Sequence, residues 1–530
     1  MAALEAQLFA SGLPVEALME KAALAVSRRV LGGGSGSLSS GVLVLVGPGH
    51  NGGDGLVVAR ELHLAGVSVR LWCPFERRKT LTERHWQHAR WLGIPVLEKA
   101  PDPQDPALWI DALFGNGQGR PPGEAIEALL EARGKRGGGA LVAIDVPTGL
   151  CSDTGQVLGQ QAARADLTLC IGLWKQGLVQ DGALRWVGKL ERVDLALPAR
   201  LLAELPAEQP LGLGGPEKGN NDAGQGPRPQ GDPAAGKYDR GRLLVIAGSE
   251  MYRGAALLAL AGASAAGVGS LRALVPPAVA DQLWLAMPHV VLEQRPLVEG
   301  GLERLDGVVV GPGLGPAPSS GEQGREPWWD SLQGFAGLLV VDAEGLSRIN
   351  PDWLRERAGP TWITPHTGEF RRLWPSLSEL PPLEAAAAAA RDAGATVLLK
   401  GARSVIAAPD GRRWQLLQAC GSAARAGLGD VLAGYAGGLG ARGLATEALE
   451  SPGLADASWL ALAALDHAQA GGRAASEGPG GATPLAVAEA LARAGQMAMG
   501  KDASAEAHNN PPAVDEVADF TGAGRTPLPE

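Results

Sequence analysis

At 530 residues the chain is too long for one ordinary domain and predicts two or three units of about 150 to 250 residues each. Its net charge of −10 and the lack of any basic block argue against a nucleic-acid footprint and point to small-molecule partners. The cysteines at 73, 151, 170 and 420 show no Cys-x-x-Cys and no paired short spacings, so neither a zinc knuckle nor a disulfide framework is indicated, and a reducing, cytoplasmic setting fits.

The opening segment MAALEAQLFASGLPVEALMEKAALAVSRRV carries acids and reads as amphipathic helix rather than as a secretory signal. No 18-residue uncharged apolar block of the membrane-spanning kind stands out after it. The strand-like run VLVLV (42–46) then leads into GPGHNGGDGLVVAR (47–60) and a helical pattern that stops near Gly66. Glycines 47, 49 and 52 fit G-x-G-x-x-G, the spacing that lays backbone amides against a pyrophosphate. Two features oppose that reading. Asp54 places a carboxylate near the helix N-terminus, where a fixed negative charge repels phosphate. The acid that usually ends the second strand is also missing, because VSVRLWC (67–73) gives way to PFERR. The loop therefore reads as a polar cradle, with Asn51 and Asp54 aimed at a cation or at hydroxyls. Further on, His85 and His88 lie three apart in ERHWQHAR, but nothing nearby supplies a third ligand, and the pair reads as a solvated helix face.

Strand-like runs at 42–46, 67–72, 108–113, 140–146 and 166–171 alternate with helical patterns, the rhythm of a parallel three-layer sheet. Ligands of such sheets sit at the carboxyl ends of the strands. There ALWI is followed by Asp111 and a glycine-rich loop from Gly115, and LVAI by Asp145 and Thr148. Singly, Asp111, Asp145 and Thr148 cap turns as readily as they make a site. Together with Asp54 they put three acids on one rim, where repulsion must be relieved by a cation or a proton. From 204 to 236 hydrophobic periodicity vanishes in a Gly/Pro-rich stretch that reads as a linker. The rhythm restarts at RLLVIAG (242–248) and continues through SLRALVP, GVVVGPG, LLVVDAEG, TWITPH and ATVLLKG, while LEAAAAAARDAGA (383–395) reads as a helix packed on a sheet. The expected organisation is a domain over 1–204, a linker over 205–236, a second domain over 237–500 and a disordered tail over 501–530. No internal repeat links the halves.

The motifs GPGHNGGDGLVVAR, DALFGNGQGR and VAIDVPTGL, followed by ADLTLCIGLWKQGL, resemble in this order the NAD(P)H-hydrate epimerase domain, across nearly all of residues 1 to about 205. The resemblance implies a Rossmann-like domain in which His50, Asn51, Gly52, Gly53, Asp54, Gly115, Asn116, Gly117, Gln118, Gly119, Arg120 and Pro121 bind a hydrated nucleotide. It also implies a potassium ion between Asn51, Asp111 and Thr148, and an acid/base role for Asp145 beside the damaged nicotinamide. His50 stands where that family usually has a second Asn, Thr148 replaces a common Ser, and Asn116 a frequent Thr.

AGSEMYRGAA (247–256), VVVGPGLG (308–315), TPHTGEF (364–370), VLLKGARSVI (397–406) and AGLGDVLAG (426–434) resemble the ADP-dependent NAD(P)H-hydrate dehydratase, of ribokinase-like fold, over about 237 to 497. A G-x-G-D run opening a helix sets backbone donors around phosphate oxygens, and its Asp can accept the proton of an attacking hydroxyl. The resemblance implies that Lys400, Gly401, Ala402, Arg403, Ser404 and Gly429 hold ADP, with magnesium, and that Ala255, Gly313, His366 and Asp430 line the hydrate pocket, Asp430 being the base. His366 also reads as a histidine hydrogen-bonded at a strand end. The segment GSAARAGLGD departs from the family's more usual Asn-Pro-Gly-Met-Ala-Thr-Gly-Gly-Thr-Gly-Asp. The expected whole is an α/β chain of two three-layer domains, cytoplasmic, homo-oligomeric, and acting on hydrated NADH and NADPH with ADP, without nucleic-acid or membrane partners. The alternative is a ribokinase-like small-molecule kinase fused to a non-catalytic nucleotide-binding domain.

Overall fold

The computed structural model describes residues 2–33, 38–135, 139–203, 211–213, 236–293, 301–316, 328–417, 420–447, 457–476, 478 and 480–493. The expected tail, 501–530, and most of the expected linker lie outside the described residues.

Two sheets organise the chain. The first comprises β1 (Val42–Val46), β2 (Val69–Trp72), β3 (Val96–Leu97), β4 (Leu108–Ala112), β5 (Leu141–Ile144), β6 (Leu167–Ile171) and β7 (Lys189–Val193), in the order β3-β2-β1-β4-β5-β6-β7. All its pairs are parallel, so the direction of winding reverses between β1 and β4. That reversal opens a crevice at the strands' carboxyl ends. Because strand side chains alternate, Val42, Val44 and Val46 join a core with Met19, Leu56 and Val57, while Leu43 and Leu45 join another with Trp109, Ile126 and Leu130. All five residues of β1 are completely buried, which marks a central strand covered on both faces.

The second sheet comprises β8 (Leu211–Leu213), β9 (Arg242–Ile246), β10 (Ser270–Leu274), β11 (Val291–Leu292), β12 (Gly307–Val310), β13 (Leu338–Val341), β14 (Thr361–Ile363), β15 (Thr396–Leu399), β16 (Val405–Ala407) and β17 (Arg413–Leu416). Its order is β11-β10-β9-β12-β13-β14-β15-β16-β17-β8. It is parallel from β11 to β15 and then turns back through two antiparallel pairs, β15 with β16 and β16 with β17. Helices cover both faces, so each half is the three-layer α/β unit expected. One difference lies in the expected linker, where residues 211–213 pair in parallel with β17. A three-residue strand on a sheet edge needs only backbone donors and acceptors, and so leaves no hydrophobic alternation to read.

The helix Leu428–Glu447, which follows the G-x-G-D run, crosses the helix Arg253–Ala265 almost backbone to backbone. A Cβ on Gly262 would come within 2.1 Å of the Val431 carbonyl, and one on Gly434 within 1.8 Å of the Ala259 carbonyl. Only glycine permits that approach. The alanine-rich helix Pro382–Ala393 packs on the other face through Leu383, Ala386 and Ala390, as its sequence led one to expect.

Candidate active sites

The first crevice is built where β1, β4 and β5 end. A Cβ on Gly47 would lie 1.6 Å from the Leu113 carbonyl and one on Gly52 2.0 Å from the Gly47 carbonyl, so two of the three motif glycines serve to fold the loop tightly against β4. The helix His50–Leu64 starts directly from that turn and ends before Gly66, whose φ is +84°. Asp111, at the end of β4, is fully buried and accepts the hydroxyl and the amide of Thr148, both at 2.8 Å, and the Leu113 amide at 3.2 Å. Burial pushes its pKa up to about 6 despite those bonds. Thr148 in turn accepts the Phe114 amide at 3.2 Å.

Asp145 follows β5 with a φ of +69°, a left-handed conformation that costs a non-glycine residue energy and is tolerated where surrounding structure imposes it. Here the surroundings do. The Asn116 amide donates to its carboxylate at 2.9 Å and the Ile171 amide at 3.2 Å, and the Lys175 ammonium group forms a short ion pair with it. Burial alone would lower the Lys175 pKa, but the charges of Asp145 and Cys170 and the hydrogen bond to Asp145 together outweigh it and the net shift is upward. Asn51 approaches from the other side: a Cβ on Gly115 would sit 3.0 Å from its Oδ1 and 3.1 Å from Asp145 Oδ2. The buried Nδ2 of Asn51 has no hydrogen-bond partner in the protein.

Asp54 is held well above the usual carboxylate range, by burial first and by the charge of Asp145 second. Its surroundings thus oppose the negative charge expected there. His50 stands at the first position of the helix, and the partial burial of its ring, then the nearby Lys79, lower its pKa. In the 115–121 loop, Gln118 ties two strand ends together by accepting the Gly149 amide at 2.7 Å, while Asn116, Gly117, Gly119, Arg120 and Pro121 form an exposed rim. His85 and His88 lie on the helix Thr80–Trp91, His88 stacking on Trp91. Among the described residues no group of three or more His, Cys, Asp or Glu is placed to hold a metal ion, and none of the four cysteines forms a disulfide.

The second crevice gathers the loops after β9, β12, β13, β14 and β15 around Lys400. Its ammonium group bonds Asp342 at 2.6 Å, and Asp342 also accepts the Thr364 hydroxyl at 2.8 Å. A Cβ on Gly429 would lie 3.3 Å from Lys400 Nζ, so the G-x-G-D turn rests on the same ammonium group. Asp430, in the first turn of the helix Leu428–Glu447, is pushed up to about 7, by burial first and by the charge of Asp342 second, with Lys400 opposing. Gly313 and Ala255 are neighbours, since a Cβ on Gly313 would come within 2.6 Å of the Ala255 Cβ. His366 caps the helix Thr367–Leu373. Its Nδ1 accepts the Gly368 amide at 2.9 Å, Glu369 accepts its own amide at 2.8 Å, and its ring remains exposed. The strand-end hydrogen-bonding role weighed for it is thus present. Arg403, by contrast, turns its guanidinium into the boundary between the two domains.

Sequence reasoning missed Lys175, Asp342 and Thr364 as members of these clusters. Asp342 directly follows the apolar run LLVV, the same signal that singled out Asp111 and Asp145. Lys175 carries no such signal, because a buried lysine and a solvated one read alike.

Comparison with known proteins agrees with this division. The family model described as YjeF-related protein N-terminus matches residues 15–177, and that described as NAD(P)H-hydrate dehydratase matches 243–493. A bifunctional NAD(P)H-hydrate repair enzyme of Gloeobacter violaceus is 41% identical over 456 residues, covering 82% of this chain and 86% of that protein. One from Synechocystis is 39% identical over 490 residues, covering 89% and 88%. Among solved structures, an ADP/ATP-dependent NAD(P)H-hydrate dehydratase from Bacillus subtilis, co-crystallised with ATP and Mg2+, is 26% identical with a TM-score of 0.44 and covers 51% of this chain and 94% of that one. On the identity and the span of those relatives, this chain belongs to the family of bifunctional NAD(P)H-hydrate repair enzymes.

Proposed function

We propose that the two crevices divide the repair of hydrated NADH and NADPH, the first interconverting the R and S hydrates and the second returning the S hydrate to the reduced nucleotide at the expense of ADP. What carries the reading is that each sheet ends in its own carboxylate–lysine pair, Asp145 with Lys175 and Asp342 with Lys400, inside the matched family segments. In the first site Asp145 moves the proton that opens and recloses the hydrated carbon, held in place by Lys175 and two backbone amides. The rim residues 50–54 and 115–121 hold the nucleotide.

The donors near Asp111 suit a potassium ion. A fully buried carboxylate, with no cationic side chain among its hydrogen-bond partners, is joined to Thr148, and with the amide oxygen of Asn51, which lies beside Gly115, it offers hard oxygens of the kind such an ion takes. Such an ion would be held by Asn51, Asp111 and Thr148, and would supply positive charge that stabilises the ionised carboxylate and the negatively charged substrate.

In the second site Asp430 removes the proton of the added hydroxyl as that oxygen attacks the terminal phosphoryl group of ADP and AMP leaves. Loss of that phosphate together with a proton from the neighbouring ring carbon then restores the dihydronicotinamide. The amide at Gly429 and the Lys400 ammonium group stabilise the charge that develops, and Ala255, Gly313 and His366 shape the hydrate pocket. Magnesium would enter with the nucleotide. A buried Glu344 carboxyl oxygen without a hydrogen-bond partner, close enough for its charge to act on Asp430, is a donor such an ion would take up.

Within the same reading the chain is cytoplasmic and self-associating. No described helix is long and apolar enough to cross a membrane, and Trp284, Leu285 and Val291 expose apolar surface on the helix and strand that end the second sheet. Incubating the purified chain with mixed R and S hydrate, with and without ADP, tests the central claim. NADH should reappear only with ADP and should exceed the S fraction supplied. Accumulation of a stable phosphorylated product would instead mean a kinase, and an unchanged R/S ratio a non-catalytic first domain.

A further inference from the structure

The loop Lys400–Ser404 joins β15 to β16, and its shape is not set by its own domain. Asp181, which belongs to the first domain, accepts the Ala402 amide at 2.9 Å and the Arg403 amide at 2.7 Å with its two carboxylate oxygens. A Cβ on Gly401 would come within 2.5 Å of Asp181 Oδ2, so the glycine of Lys-Gly-Ala-Arg-Ser is where the first domain presses closest. Three neighbours of Asp181 extend the seam. Arg403 donates to the Leu178 carbonyl at 2.7 Å, Gln415 to the Val179 carbonyl at 2.7 Å, and Gln180 to the Gln415 side chain at 2.7 Å. Gln180, Arg403 and Gln415 are all buried there.

We propose that Asp181 is a positioning residue for the ADP site of the other domain: its carboxylate fixes the backbone of 401–403 so that the loop meets the nucleotide already ordered. The inference rests on the reading of 400–404 as the nucleotide loop. An anionic acceptor shared by two consecutive amides is stronger than two neutral bonds and fixes both peptide planes. Without it the loop spends part of its time in other conformations, and the apparent affinity for a ligand falls by the fraction of competent molecules.

The test uses the full chain carrying Asp181→Asn, in which one of the two amides meets a donor instead of an acceptor. KM for ADP should rise about tenfold while kcat of dehydration and KM for the S hydrate stay near wild type, a split that general loss of structure would not produce. Epimerisation of the R hydrate should be unchanged. Asp181→Glu, which keeps the charge, should raise KM less. An unchanged KM in both variants overturns the proposal. So does a lower one, because the carboxylate would then be competing with ADP for the same amides. Hydrogen exchange separates this from failure of the underlying reading: ADP should slow exchange of the 401–404 amides in the wild-type chain. If it does not, the loop is not the nucleotide site and the proposal falls with it.

Discussion

Lys175 is seated between the Asp145 carboxylate and the Ile171 carbonyl, which it reaches at 2.5 Å, so that this buried ammonium group is held by a residue in a left-handed conformation. Replacing it strands a buried charge. We expect Lys175→Met to lower the stability of the first domain by about 3–5 kcal/mol, the usual cost of breaking one side of a buried pair. The same variant should slow epimerisation at least roughly 100-fold. Dehydration of pure S hydrate should continue at its normal rate, which makes the second domain an internal control. Wild-type epimerisation in the variant would remove Lys175 from the site.

Dehydration should depend on pH through Asp430. Its pKa of about 7 means that the ionised, proton-accepting form grows as pH rises through neutrality, so the rate should climb over that interval and level off above it. Asp342→Asn removes a negative charge that helps raise that pKa, and the climb should move to lower pH. Asp430→Asn should cut turnover by about 100 to 10,000-fold while ADP still binds. A pH profile that Asp342→Asn leaves in place would break the link between the two acids.

The proposed potassium site makes a prediction about stability that needs no substrate. The folded pKa of Asp111, about 6, lies above that of an unfolded carboxyl. The folded chain therefore holds that proton more tightly, and its stability falls as pH rises from about 4 to about 6, after which the charged carboxylate stays buried. A cation that binds the charged form recovers part of the loss. Potassium chloride should thus raise the melting temperature more than tetramethylammonium chloride at about pH 7.5 and hardly at all at about pH 5. Asp111→Asn should erase the difference and weaken epimerisation alone. Loss of epimerase activity on adding a chelator of divalent metals, with indifference to potassium, would be incompatible with the site.

Each sheet has cores of its own, so fragments 1–204 and 237–530 made separately should both fold and keep kcat for their own reactions. The seam at Gln180 and Gln415 makes the separation imperfect, and KM for ADP should be higher in the second fragment than in the full chain. If neither fragment folds, as judged by circular dichroism and cooperative melting, the two-domain description is wrong.

The central strands were legible because they are apolar on both faces: VLVLV is found as β1 at the residues where its composition puts it. Edge strands were not. KLERV forms β7 with an exposed Lys189 and partly buried neighbours, and β3 and β11 are two residues long, too short for any alternation. The same asymmetry holds for the sites. Asp111, Asp145 and Asp430 stand beside apolar runs or glycine turns, whereas Asp181 lies in the polar stretch QDGALR, and nothing local tells that its carboxylate faces another domain.

The glycine contacts of the helix that carries Asp430 bear on how this enzyme can change over time. Where Gly262 and Gly434 bring two backbones into contact, there is no layer of side chains to trade volume, so a larger residue on either helix meets a carbonyl instead of a neighbour that can rotate away. Neutral drift is closed to that face. Variation in nucleotide or hydrate preference has to enter through the loops at the helix's N-terminal end, which leaves Asp430 in place while the pocket around it evolves.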